Sequence, residues 1–404
     1  MGEVLTSGPP ERPPRLRSRL VLVLAVVVAL ALGVVVAPRL IGERPSAQAP
    51  RPTPTATSPP PQSLAEDEVQ PRLDGPAAAL PDGLVVAVGG PKPAVAGRGT
   101  GPAFALDRLP LEEGEAVASV SSVPAGLVVV VQTPFLTAAN HRSKIYLVSA
   151  HRAVMLTQAD EVVVGHRRDR LLALRSGYGW EGPGTLLQVS WTGRVLARHA
   201  TPEGLSLQAD TPQGLLVTIS PRAEQPSRLQ LIDPRTTKVI KQLGPVEYVV
   251  AATSTQAAWT SYRCVEHCAL TVLDLPTGLR HAIPMPPDFY PGHAAFSPDG
   301  RRLAIAYYGL HPQQAGGPAP GFVEVRDVAG AGVVRIPGLA TGIKQSAEVA
   351  WTPDGTGLAL SVGFPDTDTR RVGLWPLSGG PVGVLPGTFP GGSDPSALIA
   401  LASA

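Results

Sequence analysis

The plainest chemistry in the chain belongs to its two cysteines. Cys264 and Cys268, in TSYRCVEHCALTV, flank His267, and no other cysteine occurs. Two thiols this close, with none elsewhere, read as one disulfide closing a small loop in an oxidising compartment. Its contribution should fall below the ~3 kcal/mol of a fifteen-residue ring. With His267 they are also three potential zinc ligands, but no fourth is in view. The order Cys-x-x-His-Cys does not suit covalent haem attachment. The disulfide is the expected state, and no metal site is expected. Asp366 and Asp368, in PDTDTR, supply two carboxylates where calcium needs six to eight oxygens, so they read as solvated loop acids. No Gly-x-Ser-x-Gly elbow, His-Glu-x-x-His helix or P-loop occurs, so the chain lacks the sequence marks of those catalytic classes. Eight histidines, among them His141, His151, His166 and His199, are dispersed. Most should be surface or loop residues.

A second set of candidates shares a setting. Phe135, Asn140, His141, Arg142, His311, Gln313 and Gln314 fall in stretches between apolar runs, Gln132–Ser143 and Gly309–Gly321. Two comparable stretches are Gly89–Gly101 and the cysteine loop. Such loops are either a binding rim carried on a rigid scaffold or tolerated surface decoration.

The scaffold is legible as a repeat. In AAFSPDGRRLAIAYYG and GFVEVRD, the residues Phe296, Leu303, Ile305, Val323 and Val325 fall at alternate positions, the period of a strand. Ser297-Pro-Asp-Gly300 between them is a turn. Related phrases place a turn residue at Gly83, Gly126, Arg170, Gly214, Gln256, Gly300 and Gly355, at spacings of 43, 44, 44, 42, 44 and 55. A third strand follows each: PAFALD, KIYLVS, LLQVSW, RLQLID, ALTVLD, FVEVRD and RVGLWP. Several continue through a polar turn, such as Asp274–Gly278 or Asp233–Thr237, into a fourth. Four strands per repeat, seven times, predicts an all-β, seven-bladed β-propeller of four-stranded antiparallel blades over residues 76–404. The apolar stretch Ala397–Leu401 is the candidate strand that joins the chain ends.

With Phe296-Ser-Pro-Asp-Gly300, Trp351-Thr-Pro-Asp-Gly355 and the Asp-x-x-Thr-Gly turn at Asp274–Gly278, residues 76–404 resemble the TolB-like and WD-repeat propellers of bacteria. Gly292-His293 is similar to the Gly-His pair of WD repeats, although no Trp-Asp dipeptide occurs. The Asp-x-x-Thr-Gly turns are similar to those of quinoprotein propellers. No tryptophan follows them at the docking position, and no cofactor is expected.

Upstream of the repeats the chain changes character. Met1–Arg19 is polar, with Arg12, Arg15, Arg17 and Arg19 before eighteen uncharged residues, Leu20–Ala37. As a helix that run spans about 27 Å, close to the hydrocarbon thickness of a bilayer. The arginines predict a cytoplasmic N-terminus and an exported remainder. The run exceeds the apolar core of most cleaved signals, and prolines follow the small-residue sites at Ala37 and Ala49, so a retained signal-anchor is expected. Nine prolines between Pro38 and Gly75 predict an extended, disordered stalk.

Composition agrees with many short strands: 45 proline and 43 glycine residues, 44% hydrophobic, 16% charged. The 34 basic residues are matched by 32 acidic ones, for a net charge of +2, which gives no reason to expect a nucleic-acid partner. The sequence therefore predicts a single-pass membrane protein whose extracytoplasmic propeller is a non-catalytic binding or scaffolding module for a protein, peptide or envelope polymer. The alternative is a propeller enzyme of lyase or glycoside hydrolase type, with its site in the central funnel.

Overall fold

The computed structural model describes residues 70–82, 84–97, 106–132, 142–176, 182–220, 225–261, 268–287, 289–309, 320–342, 347–390 and 399–403. Among them no helix is long and apolar enough to cross a membrane; residues 20–37 lie outside the described set.

Alternation along each strand dictates the architecture. In Gly126–Gln132, Leu127, Val129 and Val131 pack in one apolar cluster, while Val128 and Val130 pack in another. Both faces of this sheet are therefore buried, which one isolated four-stranded sheet could not achieve. Six such sheets follow one another in the chain, here called blades I to VI. They span residues 116–159, 161–201, 205–246, 248–284, 289–335 and 348–384, and in each the four strands lie in sequential antiparallel order. A short strand, Phe389–Pro390, also pairs with the third strand of blade VI.

The expectation of seven four-stranded blades is corrected: among the described residues there are six, plus one three-stranded sheet. In that sheet Leu84–Val88 pairs with Ala94–Gly97 on one side and with Ile399–Ser403 on the other. The segment PAFALD is not its third strand where it is described, because Leu106–Arg108 forms a turn of 3-10 helix. Gly90, at φ 109°, stands in a left-handed conformation open to glycine. The chain reverses there, so Ala94–Gly97 pairs first, out of the stretch expected to be a rim loop. The C-terminal strand joins the chain ends as predicted, two residues later than Ala397–Leu401.

Each neighbouring pair of sheets encloses its own apolar core. Leu172 and Leu186 of blade II meet Leu215 and Val217 of blade III. Leu216 and Leu231 meet Ala257 and Trp259 of blade IV, and Ala258 and Leu270 meet Leu303 and Tyr307 of blade V. The three-stranded sheet packs against blade VI through Val86 and Val88 and against blade I through Ala87. Each fully buried leucine contributes about 1.5–3 kcal/mol of transfer free energy. The first strands of blades II to VI stand side by side in chain order, and Ile399–Ser403 stands between those of blades VI and I. They form the ring around the central funnel.

The first strands of blades I, III, IV and V share a register shift against their partners, between Val117 and Ser119, Leu207 and Ala209, Val249 and Ala251, and Pro291 and His293. A bulge bends a strand and re-aims the next side chains. The N-terminal part of the body is tied in separately: Arg72–Leu73 pairs with Leu339–Ala340, and Leu73 is buried in the core between blades V and VI.

Candidate functional site

The turn between the first and second strands is the local structure that shapes one end of the funnel. In blade V, Ser297 N–H donates to the Arg302 carbonyl (2.9 Å) and Gly300 N–H to the Ser297 carbonyl (2.8 Å). Blade VI repeats the turn at Thr352, Gly355 and Gly357, with distances of 2.9 and 2.8 Å. Blade II builds it from other residues: Gly165 N–H donates to Arg170 (2.9 Å) and Arg168 N–H to Gly165 (2.7 Å). His166 thus occupies the place of Pro298 and Pro353, and Arg168 that of Gly300 and Gly355. The sequence phase set at Arg170 falls two residues late, because Arg170 already begins the second strand.

Gly300 and Gly355 have φ 69° and 71°, and Arg168 has φ 55°. A left-handed conformation costs a residue with a Cβ about 1–2 kcal/mol. Blade II carries that strain where its sisters use glycine. The indole Nε1 of Trp191 donates to the Arg168 carbonyl at 3.0 Å and helps hold the turn.

Behind this turn lies a cavity of about 470 Å³ in the funnel, within the size range of small-molecule sites. Its walls come from the first two strands of blade I, the first strands of blades II to IV and the turns of blades II and IV. Ser119, Ser121, Thr253 and Ser254 supply hydroxyls. Gln208, the bulged residue of blade III, supplies an amide braced by hydrogen bonds to Ser206 and Thr218 (both 3.3 Å). The charged groups are Arg168 and Asp210, with His166 between them in chemistry. Asp210 Oδ2 accepts from His166 Nδ1 (2.8 Å) and from the His166 backbone N–H (3.0 Å). The Asp210 side chain is 2% exposed, so those donors replace the water it has lost. With Nδ1–H committed to the carboxylate, His166 Nε2 makes no hydrogen bond among the described residues and is free to meet a ligand.

Further from the turn, at mid-strand, stands a second histidine–acid pair, His293 of blade V and Glu348 of blade VI. His293 Nε2 stands 3.6 Å from Glu348 Oε2, beyond hydrogen-bond range. Val349 N–H donates to His293 Nδ1 (3.4 Å), which places the ring proton on Nε2. Burial lowers the His293 pKa to about 4 and raises that of Glu348 to about 8, the latter opposed by the Arg370 charge. The His293 ring keeps 29% of its surface exposed and Glu348 only 6%. Both groups are held neutral at pH 7.

Of the residues singled out from sequence, Cys264, His267, Phe135, Asn140, His141, His311, Gln313 and Gln314 lie outside the described residues. Arg142 is exposed; its charge, with that of Arg198, adds to burial in lowering the Arg175 pKa. Cys268 is described, and no described cysteine is free. Asp366 lies in a 3-10 turn that Asp368 closes at φ 47°. No group of three His, Cys, Asp or Glu residues converges among the described residues. Sequence reasoning passed over His166, Arg168, Gln208 and Asp210. The available signal was the phase of the repeat, in which Gly-His-Arg-Arg stands where other units spell Ser-Pro-Asp-Gly or Thr-Pro-Asp-Gly.

No family profile matches the chain, and no curated protein does. Solved structures similar to it include a protein from Lactobacillus plantarum, at 11% identity and TM-score 0.48, with 79% of this chain and 99% of that one covered. TolB from Acinetobacter baumannii is similar at 14% identity and TM-score 0.41, with 64% of each chain covered. Prolyl oligopeptidase B from Galerina marginata is similar at 12% identity and TM-score 0.47, with 70% of this chain and 44% of that one covered. The chain thus spans less than half of the oligopeptidase. At such identities the likeness is one of fold and does not extend to ligand or activity.

Proposed function

We propose that the chain is a membrane-anchored, extracytoplasmic binding module whose funnel takes a polar end or side group of a protein, peptide or envelope polymer. The observation that carries this is the funnel cavity itself. Hydroxyls, an amide, an imidazole and a guanidinium from four blades converge on a space sized for one small polar group. Rigid strands position Ser119, Ser121 and Gln208, while His166 and Arg168 share a turn pinned by Trp191, and Thr253 and Ser254 lie in the turn of blade IV. Such preorganisation lowers the ordering cost of binding.

Binding is favoured over hydrolysis by the carboxylate count. Glycoside hydrolysis commonly uses two carboxylates flanking the scissile bond. Among the described lining residues Asp210 is the one carboxylate, and its bonds to His166 commit it to orienting the ring. The three-stranded sheet takes the seventh place in the ring as its closing blade. The apolar run Leu20–Ala37 and the proline-rich stalk complete the reading: the first tethers the propeller to the cell membrane, with Met1–Arg19 cytoplasmic, and the second spaces it away. Tethering raises the local concentration of the binding face at the envelope surface.

The test compares the full chain in detergent with a Ser121→Trp variant whose indole fills the funnel. Envelope extracts and a glycan array are offered to both. Ligands retained by the parent and lost by the plugged variant support the reading; equal retention by both refutes it. Protease added to intact spheroplasts should digest the propeller, and full protection would overturn the exported topology.

A further inference from the structure

We infer that the funnel site recognises a singly charged carboxylate and that Arg168 is the residue that binds it; this rests on the funnel-binding reading above. Three non-glycine residues of the described chain adopt φ > 0: Arg168, Thr237 and Asp368. Two of them have a local reason. Thr237, in the place that Gly278 holds in the related turn of blade IV, donates its hydroxyl to the Ala200 carbonyl at 2.9 Å. Asp368 closes a 3-10 turn, its N–H donating to the Pro365 carbonyl.

Arg168 has no such return. Its backbone bonds are those that glycine makes in blades V and VI, and its guanidinium forms no hydrogen bond or ion pair among the described residues. It is exposed and lines the cavity. An unfavourable backbone conformation kept at a cavity mouth, for a side chain with no partner inside the protein, points to a partner from outside. A planar guanidinium suits a carboxylate, which it meets through two parallel hydrogen bonds.

The neighbouring charge limits the choice of anion. Asp210 is buried in the same wall, so among the described lining residues the site offers one guanidinium beside one carboxylate. A monoanion is balanced by Arg168, whereas a dianionic phosphate would leave excess negative charge facing Asp210. His166 Nε2 and the hydroxyls of Ser119, Ser121 and Thr253 are placed for the polar atoms next to the carboxylate. A peptide C-terminus and a uronic acid both offer this chemistry.

The experiment is a calorimetric titration of the full chain in detergent with four probes: acetyl-alanyl-alanine, its C-terminal amide, glucuronate and inorganic phosphate. At least one carboxylate probe should bind tenfold or more tightly than the amide and phosphate, and which one binds identifies the source. Arg168→Gln should lose that binding at unchanged Tm. Arg168→Gly should lose it too, with Tm unchanged or raised by about 1–2 °C through release of the backbone strain. A neutral amide that binds as well as the acid overturns the carboxylate inference and leaves the funnel reading standing. No binding of either carboxylate, or wild-type carboxylate affinity in Arg168→Gly, also overturns it. A lowered Tm in both variants assigns Arg168 a structural role and does the same. Retention of envelope ligands by the Ser121→Trp chain is the separate result that sinks the funnel reading.

Discussion

The two histidine–acid pairs bridge neighbouring blades, one beside the turn that ends the first strand and one at mid-strand, and they differ in how the acid has been compensated. Asp210 has lost its water but gained two donors from His166, at 2.8 and 3.0 Å. Glu348 has lost its water and its Oε2 has gained no hydrogen bond. Two donors from His166 stand in for the water Asp210 has lost, whereas burial raises the Glu348 pKa against the pull of the Arg370 charge. Similar residue types thus give a polar, ligand-ready surface beside the turn and a buried, uncharged contact at mid-strand.

Removing Asp210 should show the larger effect. Asp210→Ala strips acceptors from an imidazole and a buried amide, and should cost about 2–3 kcal/mol in denaturant unfolding. It should also weaken ligand binding, since the His166 ring loses its anchor. A cost below about 0.5 kcal/mol would mean the two pairs are alike after all.

Glu348 should respond to pH instead. Its folded pKa, near 8, lies above the usual 4.5, so the unfolded chain binds fewer protons in between and stability falls as pH rises toward 8. His293 is depressed from 6.5 to about 4, so its contribution is complete above 6.5 and is lost as pH falls through 4. The two slopes oppose each other between about pH 4.5 and 6.5. Above 6.5 only the Glu348 slope remains, about 1.4 kcal/mol per pH unit, or about 2 kcal/mol by pH 8. Glu348→Gln should flatten that limb, matching wild type below pH 4.5 and exceeding it by about 2 kcal/mol at pH 6, where the wild-type slope has already acted over about 1.5 pH units. A wild-type limb in the variant would show that Glu348 is not buried as described.

The smallest expected effect comes from the cysteine loop, which connects the second and third strands of blade IV. Reduction of a Cys264–Cys268 bond should lower stability by about 2 kcal/mol, from the entropy of so short a ring. Ligand binding at the Asp210 end should not change. Mass spectrometry of the unreduced chain should find the two thiols joined; free thiols would overturn the expected bond.

The propeller was readable from sequence because its determinants are local and repeated. Leu303, Ile305 and Val323 each sit where the alternation placed them, at 0% exposure. Ala304 and Ala306 are equally buried, since the sheet has a neighbour on both faces and alternation there separates two cores rather than core from water. The first repeat misled because a glycine reversal at Gly90 outweighs the apolar pattern of PAFALD. The site was obscure for a different reason: His166 and Asp210 lie on separate sheets, 44 residues apart. That separation is one repeat. Tyr248 to Gly292 and Gln256 to Gly300 are bonded at the same interval. Residues one period apart are neighbours across a blade interface, so aligned repeats can be read as lists of lateral contacts as well as of equivalent positions.

The pairing of Ile399–Ser403 with Leu84–Val88 has a bearing on biogenesis. The ring cannot shut until Ile399–Ser403 has followed the six blades out of the ribosome. Until then the inner edge of Leu84–Val88 is bare, and a nascent chain with an unfilled strand position is open to proteases and to holding chaperones. Loss of the last few residues should therefore be felt at the far end of the polypeptide, as an unlatched first sheet.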